Sequence, residues 1–131
     1  MTTNRHYFKA GKYYVGDLCY IVSDANWDLI IDKTGCFGLS DKASDGWFEG
    51  AFEHKGRKCF LGSTRWGDGA YYDDKGREYF VDSGSLGIMP VEILDLPHNF
   101  DYAHIINFEK DFSCVEVSGH FLLGDIEIET E

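Results

Sequence analysis

Long apolar runs, paired cysteines, proline and basic charge are all scarce in this chain, and each scarcity excludes something. No stretch is apolar for long enough to cross a bilayer as a helix. The opening "MTTNRHYFKAGKYY" lacks the apolar centre of a secretory leader, so a cytoplasmic protein without membrane contact is expected. Cys19, Cys36, Cys59 and Cys114 stand far apart with no C-x-x-C pair. They read as buried thiols, not as a disulfide framework or a four-thiolate zinc site. Two prolines against 15 glycines point to many turns and little rigid linker. Twelve basic residues face 23 acidic ones, for a net charge of −11. That balance speaks against direct binding to nucleic-acid phosphates and against docking on anionic lipid.

Aromatic residues, by contrast, are plentiful at 16%, within a hydrophobic share of 44%. A chain of 131 residues so composed can bury one core without staples, and it reads as a single domain over 1–131. "GKYYVGDLCYIV" (residues 11–22), "WFEGAFEH" and "RKCFLGST" around a Lys55-Gly56 turn, and "AYYDDKGREYFVD" closed by Gly76 all read as strands and hairpins. Gly16 marks a bulge or a close backbone approach. "SLGIMP" is a strand ending at Pro90, followed by one helical turn. "AHIINFE", "FSCVEVS" and "HFLLGDIEIE" complete the tail, the last with one wet face and with charges suited to guarding a sheet edge. The one good helix runs near residues 24–34: Ser23 or Asp24 caps it, Trp27, Ile30 and Ile31 share a side, and Gly35 stops it. The expected fold is mainly β (α+β), a curled antiparallel sheet or small barrel of roughly eight to ten strands with that helix laid on it. Gly11–Ile21 and Gly76–Leu86 also align without gaps, with five matches in eleven positions. This raises a pseudo-duplication of 11–65 and 76–131 that sets Asp17 against Asp82, although Gly-basic-aromatic-Asp recurs easily in such strands.

Chemistry-bearing motifs are few. Phe80-Val81-Asp82-Ser83-Gly84 matches an aspartic-peptidase loop, and "FLLGD" at Phe121–Asp125 resembles the element that crosses behind it in retropepsin-like enzymes. This makes Asp82 the candidate catalytic aspartate of a hydrolase, its dyad completed by a second copy of the chain or, if the halves are duplicated, by Asp17. The competing reading is a turn, since Asp and Ser bond their own backbone and Gly takes positive φ. Asp68, Asp73, Asp74 and Asp82 invite calcium but lack EF-hand spacing. The histidines His6, His54, His98, His104 and His120 show no H-x-x-x-H or H-x-H pattern, so no metal site is expected. Neither a G-x-S-x-G elbow nor a G-x-G-x-x-G or P-loop sequence is present, and no cofactor is expected. What remains is an aromatic, Asp and Gly face. Its candidate ligand-binding residues are Asp17, Tyr20, Trp66, Asp68, Tyr71, Asp82 and Ser83, a set suited to a small molecule or a protein partner.

"GDLCYIVSDANW", "WGDGAYYDDKGREYFVDSG" and "SLGIMP" together resemble a pattern of small proteins encoded by bacteria and their phages. Leu18 stands where many of those sequences have proline. The resemblance implies no catalytic residues; it implies a small intracellular accessory protein in phage–host conflict. The sequence thus favours a non-enzymatic acidic binding module. The alternatives are an acidic decoy that occupies a nucleic-acid-binding protein and an aspartate-dependent hydrolase.

Overall fold

The computed structural model describes residues 5–34, 49–64, 67–97, 103–117 and 120–130. Trp66, Gly35, Cys36, His98, Ser118 and Gly119 lie outside them. Eleven strands are described: β1 (His6–Phe8), β2 (Gly11–Gly16), β3 (Glu49–His54), β4 (Arg57–Ser63), β5 (Gly69–Asp73), β6 (Glu78–Val81), β7 (Ser85–Pro90), β8 (His104–Phe108), β9 (Phe112–Val117), β10 (His120–Leu123) and β11 (Ile126–Glu129), with one α-helix, α1 (Asp24–Thr34). The strands form two antiparallel sheets rather than a closed barrel. The outer sheet has the order β1-β9-β10-β11-β5-β6, and the central sheet β3-β4-β7-β2-β8.

Burial explains why the two sheets carry different sequences. The central sheet is covered on both faces. Tyr13, Val15, Phe60, Leu86, Ile88 and Phe108 point into the core shared with the outer sheet. Tyr14, Cys59, Leu61 and Met89 point the other way, onto Leu18, Ile21, Val22 and Ile30 of the α1 layer. Successive side chains of a strand alternate between faces, so a strand buried on both sides has no position open to water. "SLGIMP" is accordingly buried at every residue. The outer sheet has one wet face, and its strands alternate: Ile126 and Ile128 are buried while Glu127 and Glu129 face water.

The turns follow local chemistry. Lys55 and Gly56, both at positive φ (52° and 77°), close the β3–β4 hairpin as a two-residue turn whose twist matches its strands. Ser23 caps α1, its Oγ accepting from Asn26 N–H at 3.2 Å. At Gly16 the approach is close: a Cβ there would lie 2.3 Å from Ala103 Cβ. Three expectations need correction. The strand read over 11–22 ends at Gly16, and Leu18–Tyr20 is a turn of 3-10 helix capped by Asp17. "HFLLGDIEIE" is not one strand but the hairpin β10–β11, because Gly124 takes φ 65° and reverses the chain. β11 is an interior strand between β10 and β5, so its acidic residues guard no edge.

Candidate functional site

The residue that organises the site is Asp17, just after β2. Leu18–Tyr20 forms one turn of 3-10 helix, and Asp17 caps it by accepting from Cys19 N–H at 3.0 Å. The same carboxylate reaches the turn that links β6 to β7. Its Oδ2 accepts from Asp82 N–H at 2.8 Å and Ser83 N–H at 2.7 Å, and its Oδ1 from Ser83 Oγ–H at 2.8 Å. Because Ser83 spends its proton on Asp17, the 2.8 Å contact between Ser83 Oγ and buried Ser85 Oγ is donated by Ser85. Asp17 is fully buried. Its two oxygens offer about four lone-pair directions, and four donors fill them. The geometry is that of an anion-binding nest whose anion is the protein's own side chain.

Asp82 behaves differently. Its backbone N–H serves Asp17, while its carboxylate is exposed and accepts from Tyr20 Oη–H at 2.8 Å. Asp17 and Asp82 therefore meet at one turn through the Asp17 carboxylate and the Asp82 backbone N–H, while the Asp82 carboxylate points to solvent and bonds Tyr20. The "FLLGD" segment forms the β10–β11 hairpin. Of the two aligned stretches, the first supplies β2 of the central sheet, while the second supplies β6 of the outer sheet and runs into β7 of the central one, and their aspartates do different work.

The neighbouring turn is held by Thr64 and Tyr71. Thr64 N–H donates to Gly84 C=O at 3.0 Å, and its single hydroxyl proton goes chiefly to Gly67 C=O at 2.7 Å, with Gly84 C=O at 3.2 Å as the weaker second acceptor. Tyr71 Oη–H also donates to Gly67 C=O, at 2.8 Å, while its ring packs on the core. Tyr71 is thus a brace for the Gly67 turn, and exposed Asp68 follows that turn. Burial, joined by the negative charges of Asp17, Asp82 and Asp68, pushes the Cys19 thiol up, well above the ordinary cysteine range. Burial and the bond to Asp82 push the Tyr20 phenol up likewise. Both groups stay protonated at neutral pH, so Cys19 is no thiolate nucleophile. Ser83 has no histidine bonded to it among the described residues: His54 contacts Asp95, His104 the Glu78 carbonyl and His120 Glu127.

The remaining aspartates of the Asp-rich region are also engaged. Asp73, with its side chain fully buried, accepts from Lys75 N–H (2.8 Å), Arg77 N–H (3.0 Å), Arg77 Nε–H (2.9 Å) and Tyr79 Oη–H (2.7 Å). Asp74 Oδ1 accepts from Glu127 N–H at 3.1 Å. These bonds lock the β5–β6 hairpin to β11. A further cluster has no signature in the sequence. Asp95 accepts from Ser23 N–H (2.9 Å) and Asn26 Nδ2–H (2.8 Å), and pairs with Lys55 (2.6 Å) and His54 (3.3 Å). Burial raises the Asp95 pKa, but the bonds from Lys55, Asn26, Ser23 and His54 outweigh it and hold the carboxyl below the usual range. Asp95 pins the start of α1 to the β3–β4 hairpin.

Among the described residues, no helix is long and apolar enough to cross a membrane. No family model matches the chain, and neither a curated protein nor a solved structure matches it.

Proposed function

We propose that this protein is a non-enzymatic binding module whose acidic end, built around Asp82, Asp68 and the Tyr20 hydroxyl, takes up the basic groups of a protein partner. The observation that carries this reading is the division of labour at the turn. Asp17 is consumed in shaping the backbone, and the shaped backbone presents the Asp82 carboxylate to solvent beside an aromatic ring. Such a pairing offers a guanidinium or ammonium both a charge partner and a flat surface. Among the described residues, the Cys19 thiol is protonated, Ser83 is bonded to Asp17, and His54, His104 and His120 are engaged elsewhere, which favours binding over turnover. The net charge of −11 adds long-range attraction for a basic partner and speeds its encounter.

The test is a panel of Arg- and Lys-rich peptides measured by fluorescence polarisation against the wild type, Asp82→Asn and Asp68→Asn at low and high salt. Saturable binding that both substitutions weaken, and that falls as salt rises, supports the module. Binding indifferent to both substitutions removes it.

A further inference from the structure

On the solvent face of the outer sheet, antiparallel register brings together side chains from the two arms of the β10–β11 hairpin. His120 of β10 sits directly opposite Glu129 of β11, and Leu122 opposite Glu127. Alternation then puts His120, Glu127 and Glu129 on one face, because Phe121, Leu123, Ile126 and Ile128 all point into the core. His120 Nε2 is 2.8 Å from Glu127 Oε1. One ligand atom from each of the three residues lies within 4.8 Å of the others. The Glu129 backbone is paired in the sheet, but its side chain makes no hydrogen bond or ion pair to any described residue, so its carboxylate is available. Beside the trio, Tyr72, Asp73, Asp74, Glu127 and Glu129 line a groove of about 280 Å³.

From this arrangement we infer a surface site for a divalent transition-metal ion, with His120, Glu127 and Glu129 as ligands and water completing the shell. One imidazole and two carboxylates are a common donor set for such ions, with metal–ligand bonds of about 2.0–2.2 Å. Ligands at that radius stand about 3–3.5 Å apart; turning the partly exposed carboxylates closes the remaining gap. The strand framework is already fixed by core packing, so only side-chain rotamers need ordering. Two carboxylates facing one imidazole repel each other, and a cation relieves that repulsion. Histidine spacing could not reveal the site, since its ligands come from both arms of a hairpin and only one is a histidine. It rests on residues separate from those of the Asp82 end.

Isothermal titration of the tag-free protein with Zn²⁺, in a buffer that does not chelate it, tests the site. The expected result is one saturable site, with His120→Gln, Glu127→Gln and Glu129→Gln each weakening binding at least tenfold. In the wild type, the His120 ring resonances should move in proportion to metal added up to one equivalent. All three substitutions are on a solvent face, so circular dichroism should show an unchanged fold. Absence of saturable binding, unmoved His120 resonances, or a loss below tenfold in any of the three variants overturns the assignment.

Discussion

Replacing Asp17 by Asn changes one oxygen to an amide nitrogen at nearly constant volume, which isolates the role of the carboxylate. The amide oxygen will settle at the Oδ2 position, where Asp82 N–H and Ser83 N–H both need an acceptor. The amide nitrogen then faces Ser83 Oγ, which can rotate to accept, and Cys19 N–H, which cannot. Two backbone bonds lose charge assistance, worth about 1 kcal/mol each, and one buried donor is orphaned at a cost of about 1–3 kcal/mol. Neighbouring terms of this kind do not simply add, so about 3 kcal/mol is expected. For a chain of this size that corresponds to a fall in Tm of roughly 10–15 °C. Differential scanning calorimetry at neutral pH reads it directly. Asp82→Asn, at an exposed carboxylate, should move Tm by less than about 3 °C. If Asp17→Asn also shifts Tm by less than about 3 °C, the carboxylate does not hold the turn and the account of the site is wrong.

Further outcomes follow from other parts of the structure. A Cβ on Gly87 would lie 2.2 Å from the Phe60 carbonyl oxygen and 3.0 Å from Leu18 Cδ1, and the carbonyl is backbone, so Gly87→Ala should cost about 3 kcal/mol or prevent folding; urea denaturation measures it. The Asp95 carboxyl is held below its ordinary pKa in the fold, so its contribution to stability is complete above about pH 4 and is lost as pH falls through the depressed folded value. Asp95→Asn should therefore flatten the acid limb of the Tm–pH curve below about pH 4 while lowering Tm at neutral pH; a limb as steep as the wild type's would contradict this. Cys19, its thiol pushed up by burial and by Asp17, should resist alkylation by iodoacetamide at pH 8 in peptide mapping of the folded protein and react once it is unfolded.

What the sequence disclosed depended on the range of the interactions involved. Hairpins were legible because their causes are local: Lys55-Gly56 and Gly76 supply positive φ within a few residues of the strands they join. The helix was legible for the same reason, through Ser23 and the spacing of Trp27, Ile30 and Ile31. Sheet order was not, because nothing near "SLGIMP" says that β4 and β2 flank it; its unbroken burial records two covering layers without naming them. The β10–β11 hairpin was missed although Gly124-Asp125 is a two-residue turn signal and the buried positions change parity across it, from Phe121 and Leu123 to Ile126 and Ile128. At the candidate site, Asp17 and Asp82 stood out by position, but their unequal roles depend on which carboxylate the fold buries. Asp95 was silent because its partners come from distant segments, and the His120 cluster because its members meet only through the register of the β10–β11 hairpin.

The central claim is that the end of the molecule bearing Asp82 is a recognition surface and not merely a charged one. An ¹H–¹⁵N correlation titration of the labelled protein with an oligoarginine peptide tests it most directly. The account predicts saturating shifts concentrated at Cys19, Tyr20, Asp68 and Asp82 through Gly84, and their disappearance in Asp82→Asn. Shifts spread evenly over the acidic surface, or centred on another face, would contradict it.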